Sequence, residues 1–332
     1  MPTLHDSPLP HGLMIAPALK SSQPFATLLF ACFSLACFSV SAQGQESQNE
    51  KTPWVQPGDR VVLLGSGWTE RMQHHPWFEM MLTLQVPGVT IRNIGWSGDT
   101  VFGDARAVFG ARPDGYQRLM RDLDYAAPKL AIVCYGENEA FGNEQERAEF
   151  LKGYRTLIQD LRRHPCRTVL VIPRARESAG TGFPDPARYN RNLASMAQGI
   201  RQLAKELDCG LIDLESFAPQ ERFTADGVAW NDEGYRQGGR DMMKQLGFSS
   251  LAIDRFADAH PESLQELKRL IQSKNEWFFH RYRPQNETYL FLFRKHEQGN
   301  NAVEVEQMES HVAEGEKAIA DWLIQNQAMP RS

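Results

Sequence analysis

Apolar residues along this chain follow two rhythms. From residue 60 onward, short and nearly continuous β-branched runs alternate with longer amphipathic stretches. The runs are RVVLLGS (60–66), TIRNIGWS (90–97), KLAIVCYG (129–136), TVLVIP (168–173) and GLIDLE (210–215). A run that is apolar at successive positions suits a strand buried on both faces. Helical patterns fall between the runs at about 76–86, 114–123, 146–163 and 186–207, and another follows at 232–246. Strands alternating with helices predict an α/β fold, a parallel sheet with helices on both sides. In an open sheet of this kind a site lies beyond the carboxyl ends of the strands.

The two ends of the chain behave differently. Lys20 precedes the apolar run FATLLFACFSLACFSV (25–40), which ends in Val40-Ser41-Ala42 and then polar Gln43-Gly44-Gln45. A positive flank, a short apolar core and small residues before a polar stretch predict a secretory signal peptide with an upstream extension over 1–42. The run is too short to favour a spanning helix. The expectation is an exported protein, periplasmic or extracellular, with no stable membrane insertion after cleavage. Residues 43–57 are polar and Pro-containing and read as a linker. After 247 the pattern turns helical, then aromatic and basic around 277–293, then helical again at about 306–326. This aromatic density needs burial. It predicts a C-terminal extension over 248–332 that packs on the outside of the α/β domain, or else closes over its cleft.

Composition narrows the field. Hydrophobic residues make up 42% and charged residues 23%, as in an ordinary globular protein. The net charge is -5 with no basic block, which argues against nucleic acid as a partner. Of the five cysteines, Cys134, Cys166 and Cys209 lie beyond the signal segment. Cys166 and Cys209 each precede a predicted strand, so a disulfide between the strand starts and a pair of unlinked thiols both remain open. Cys134 sits inside a strand and reads as a small core residue. No cluster of His, Cys and carboxylates has metal-ligand spacing, and no phosphate-binding Gly loop occurs. No cofactor is expected.

Four short blocks fall at or just after the predicted strand ends, or before the last helix of the α/β region. They are VVLLGSGWTE (61–70), NIGWSGDT (93–100), CYGENE (134–139) and FTADGVAWNDEGY (223–235). In order and spacing they resemble the SGNH (GDSL-type) ester hydrolases over about 58–247. The resemblance implies a flavodoxin-like three-layer fold and acyl-ester chemistry. That chemistry needs a hydroxyl nucleophile, an imidazole base, a carboxylate that orients it and preorganised donors for the oxyanion. By resemblance the donors are the backbone N–H groups of Gly67 and Gly98 and the side chain of Asn138, and the orienting carboxylate is Asp226.

Both reactive groups are missing. The family's Ser falls on Gly67 and its His on Ala229. Ser66, one residue earlier, is a candidate displaced nucleophile, with a helix N-cap or turn role as the alternative. No His occurs between 165 and 259, so a replacement base must be distant. His280, within FFHRYR, is the candidate, beside the His74-His75 pair; a surface or packing role is the alternative for all three. Asp99, Asp104, Glu137 and Glu139 flank the second and third blocks. They could run acid–base chemistry or serve as caps and ion-pair partners. Trp68 and Trp230 follow the two degenerate positions and read as a ligand platform, whereas Trp96 and Tyr135 read as core or platform.

Three functions follow. The first is a catalytically degenerate protein binding an ester-bearing or carbohydrate small molecule in the retained cleft. The second is an ester hydrolase on acylated carbohydrate or small esters with a non-standard nucleophile or base. The third is an interaction module working through its C-terminal extension.

Overall fold

The computed structural model describes residues 53–217 and 222–326. The expected signal segment lies outside the described residues, as does the expected linker up to residue 52. The linker's end needs correcting. Val55 is buried in the core and Trp54 packs against the same cluster. Two apolar residues flanked by prolines were masked by their polar surroundings.

Five strands form one parallel sheet in the order β2-β1-β3-β4-β5: β1 Arg60–Gly65, β2 Thr90–Asn93, β3 Leu130–Cys134, β4 Arg167–Ile172 and β5 Gly210–Asp213. The register pairs Val61 with Ile91 on one side and with Leu130 on the other. This is the flavodoxin-like order, whose switch point lies between β1 and β3. The helices are α1 (Gly67–Arg71), α2 (Trp77–Gln85), α3 (Arg112–Ala126), α4 (Glu144–Leu161), α5 (Ala187–Glu206) and α6 (Asp232–Gln245). Beyond them come α7 (Ala252–Ala259), α8 (Pro261–Tyr282), two single turns α9 (Glu287–Leu290) and α10 (Lys295–Gln298), and α11 (Ala302–Gln325).

Alternate strand residues feed two apolar layers. Val61, Leu63, Ile132 and Val171 face α2 and α6, whereas Val62, Leu64, Val133 and Leu170 face α3, α4 and α5. Helix starts follow local rules. At α4 the Asn143 side chain accepts the Glu146 N–H at 3.0 Å while Glu146 accepts the Asn143 N–H at 2.7 Å, a reciprocal capping box. Asn231 caps α6 by accepting the Gly234 N–H at 2.9 Å.

The C-terminal extension belongs to the same compact unit. Helix α8 wraps the open edge of β2: Leu264, Leu267 and Ile271 enter one apolar layer, and Phe278 and Tyr282 the other. Lys274 Nζ donates to the Ile91 carbonyl at 2.8 Å and also pairs with buried Glu79. Buried Arg92 on β2 reaches Glu309 and Glu316 of α11, each at 3.0 Å. An uncovered edge strand invites pairing with other chains, and here two helices and a buried charge pair occupy it. Among the described residues no helix is long and apolar enough to cross a membrane.

Candidate active site

The four blocks converge beyond the carboxyl ends of β1, β2 and β3. Ser66 follows β1, is 1% exposed, and holds the N-cap position of α1. Its hydroxyl does not cap the helix; it donates to the carboxylate of Glu137, which also accepts the Trp68 N–H at 3.4 Å. The first and third blocks are thus joined through Glu137. Burial pushes the Glu137 carboxyl above the ordinary carboxylate range, partly offset by the Ser66 hydrogen bond. Ser66 is thus buried with its hydroxyl engaged by Glu137.

The second and third blocks are joined as well. Asn138 Nδ2 donates to the Asp99 carbonyl at 2.6 Å. Asp99 is fully buried and pairs with Arg106 at 2.8 Å, while Arg106 also holds Asp122 at 2.6 Å and the Ile94 carbonyl at 2.7 Å. Glu139 accepts the N–H groups of Gly136 at 3.0 Å and Val101 at 3.2 Å, and burial pushes its carboxyl up to about 7. Asp104 pairs with Arg112 at 2.7 Å. These carboxylates fasten loops, which is the structural alternative of the sequence reading.

The oxyanion positions survive in part. Gly98 has φ +83° and is exposed, with open space where a side chain would project. Among the described residues the N–H groups of Gly67 and Gly98 have no acceptor. Asn138 has committed one amide proton to Asp99. At Gly67 a Cβ would meet only Ser97 Oγ, at 3.6 Å, so a serine fits.

The fourth block supplies a carboxylate without a base. Exposed Asp226 accepts the N–H groups of Val228 at 2.9 Å and Ala229 at 2.7 Å, which lowers its carboxyl below the usual range. It stabilises its own turn. Gly227, at φ +82°, lets this turn approach the loop after β4, where a Cβ would sit 2.3 Å from the Glu177 carbonyl. Glu177 N–H in return donates to the Gly227 carbonyl at 2.9 Å. Two loops thereby close over the strand ends.

The expected platform of Trp68 and Trp230 needs correcting. They are 9% and 7% exposed and meet edge to face at 5.4 Å. Trp230 further packs on Phe223 at 4.8 Å and Phe217 at 5.8 Å, and Tyr235 Oη donates to the Trp68 carbonyl at 3.0 Å. Ring thus meets ring between the first and fourth blocks. What is left is a cavity of about 20 Å³ lined by Trp68, Glu137, Arg174, Arg176, Tyr189 and Trp230, among others. That volume is room for about one water. Trp96 and Tyr135 are core, with Tyr135 Oη donating to Asp99 at 2.9 Å.

His280 does not line this cavity. It faces a separate cleft with His74 and Phe279. His75 pairs with Asp232 at 2.8 Å and stacks on Tyr235. Among the described residues, the C-terminal extension therefore places no side chain in the strand-end cavity. Among the described residues the three cysteines, Cys134, Cys166 and Cys209, are unlinked, and burial raises the Cys134 thiol. The loop after β4 was missed by sequence reasoning. Arg176 there is bracketed by Asn190, which accepts its N–H and donates to its carbonyl, both at 2.9 Å. Its guanidinium lies 4.0 Å from the Tyr189 ring and 4.6 Å from the Phe141 ring. No motif marks this loop; only its position after a strand end could have pointed to it.

Residues 61–237 match the model of the GDSL-like lipase/acylhydrolase family. No curated protein matches the chain. Three similar solved structures show the range of likeness. An acetylxylan esterase from Geobacillus stearothermophilus is 16% identical with a TM-score of 0.46, covering 59% of this chain and 97% of its own. A second acetyl xylan esterase is 20% identical with a TM-score of 0.42, covering 56% of this chain and 98% of its own. A gut microbial diltiazem-metabolizing enzyme is 18% identical with a TM-score of 0.46 over 58% of this chain; this chain spans 48% of that enzyme's length.

Proposed function

The chain belongs to the GDSL-like lipase/acylhydrolase family, and we propose that it is an exported member that no longer hydrolyses esters and serves as a binding module. The observation that carries this reading is the strand-end cavity of about 20 Å³, walled by Trp68 and Trp230 and without an imidazole. Nucleophile and base act as a unit in acyl transfer. Without them, residual acceleration of about 10³–10⁴-fold over water is the most that oxyanion donors and binding supply. Of those donors, Asn138 already gives one amide proton to the Asp99 carbonyl.

The test is restoration. Gly67→Ser adds a hydroxyl where there is room, and Ala229→His places an imidazole beside Asp226. Wild-type protein stays at the buffer rate with 4-nitrophenyl acetate, as does Ser66→Ala. Wild-type turnover well above background, lost in Ser66→Ala, would overturn the reading in favour of a relocated nucleophile.

A second reading keeps a small ligand at the mouth of this cavity. It rests on Arg176, whose backbone is fixed by Asn190 and whose guanidinium, beside the Tyr189 and Phe141 rings, has no carboxylate within 4.0 Å among the described residues. A preorganised, unpaired guanidinium suits an anionic group. Acetate and longer carboxylates that raise the melting temperature of wild type and not of Arg176→Ala support it. Equal effects on both proteins refute it.

A further inference from the structure

We propose that the cleft between α1 and α8 is a binding site for a neutral polyhydroxylated ligand, a carbohydrate, separate from the strand-end site. The cleft encloses about 440 Å³, within the range of small-molecule sites and over twenty times the strand-end cavity. One wall is family domain and carries Gln73 and His74 from the turns after α1. The other is the C-terminal extension and carries Glu276, Phe279, His280 and Gln285. The extension therefore builds half of a site that the family-matched residues lack on their own.

The polar groups here are unspent. Gln73 is 8% exposed, yet its carboxamide has no hydrogen-bond partner among the described residues. The side chain lines the cleft, and what exposure it keeps is there. The side chains of His74, Glu276, His280 and Gln285 likewise have no hydrogen-bond partner among the described residues. Two lining groups are spent: Gln272 donates to the His74 carbonyl at 2.7 Å, and Glu70 accepts the Ser97 N–H at 2.6 Å and pairs with Arg283.

The chemistry selects the ligand. Carboxamides offer donor and acceptor in one plane, and a neutral imidazole does the same across its ring. Burial and neighbouring His75 push the His74 imidazole below its ordinary value, which keeps it neutral near pH 7. Such planar donor–acceptor pairs match adjacent hydroxyls. The half-buried Phe279 ring supplies an apolar surface for sugar C–H groups. Glu70 is neutralised by Arg283 at 2.6 Å, whereas Glu276 has no cation partner among the described residues. One uncompensated carboxylate repels anions.

Calorimetric titration of the purified protein with xylohexaose, cellohexaose, mannohexaose and chitohexaose tests this. The expected result is saturable binding of at least one. Gln73→Met, which keeps the volume and removes the amide, weakens it roughly tenfold. Gln285→Ala and Glu276→Ala, both at exposed positions, weaken it measurably with no risk to the fold. Gly67→Ser/Ala229→His, which alters only the strand-end site, leaves it unchanged, so loss of the hydrolysis argument would not touch this one. No saturable binding of any of the four at millimolar concentration overturns the proposal. So does a galacturonic acid hexamer that binds as tightly, or affinity indifferent to all three cleft variants.

Discussion

Replacing Trp230 with alanine tests whether the strand-end site is plugged. The side chain is 7% exposed and touches Trp68, Phe217, Phe223 and Tyr235. A buried aromatic hides about 150–250 Å², and at about 25 cal/mol per Å² that amounts to roughly 4–6 kcal/mol. Extended-chain areas overstate the burial, and measured Trp→Ala truncations cluster at about 3–5 kcal/mol. The two routes agree on about 4 kcal/mol, within a total stability of about 5–15 kcal/mol, so the variant still folds. Urea unfolding followed by far-UV dichroism should show a midpoint lowered by roughly 1 M or more. The cavity left behind is walled by aromatic rings, and an apolar cavity of this kind takes up apolar guests. Indole should therefore raise the melting temperature of Trp230→Ala and leave wild type unmoved. A cost under about 1 kcal/mol, with no response to indole, would mean that Trp230 stands free as a platform. The packed-plug argument would then be wrong.

Three further outcomes follow from buried charges and thiols. Burial raises the Glu139 carboxyl to about 7; the folded protein then holds a proton that the unfolded chain has lost, so stability falls as pH climbs from about 4.5 to 7. Glu139→Gln should flatten that stretch of the stability–pH curve, and an unchanged slope refutes the assignment. Lys274→Met strands the Glu79 carboxylate under α8 and should cost about 3–5 kcal/mol in chemical denaturation, whereas Lys274→Met/Glu79→Met should recover most of it. Mass spectrometry should find Cys134, Cys166 and Cys209 unlinked. With the Cys166 and Cys209 thiols pushed up to about 11 by burial, all three should react slowly with a disulfide reagent at pH 8 until the protein is unfolded.

The resemblance placed the blocks correctly but misjudged what fills the space between them. Ser66 illustrates this: its place before a helix was readable, while the partner of its hydroxyl, Glu137, lies on another strand end. Trp68 and Trp230 sit beside the two degenerate positions in sequence, and adjacency suggested a platform. Their actual neighbours are each other. His280 was a candidate because its segment could reach the cleft; α8 instead carries it to a separate cleft with His74.

What the sequence determined by itself is the scaffold. Five apolar runs spaced by amphipathic stretches fix a parallel α/β sheet, because buried strands and one-sided helices each follow a local period. That positions 67 and 229 carry Gly and Ala is likewise a property of single positions. Tertiary structure decided the rest: that two tryptophans shrink the strand-end cavity to about 20 Å³, that Arg176 lies at its edge, and that α8 covers the edge of β2 while opening a second cleft. Those outcomes depend on contacts between residues tens to hundreds of positions apart, such as Gln73 and Gln285 on one cleft. Packing and burial are set by which surfaces meet in space, and no local period in the chain encodes that.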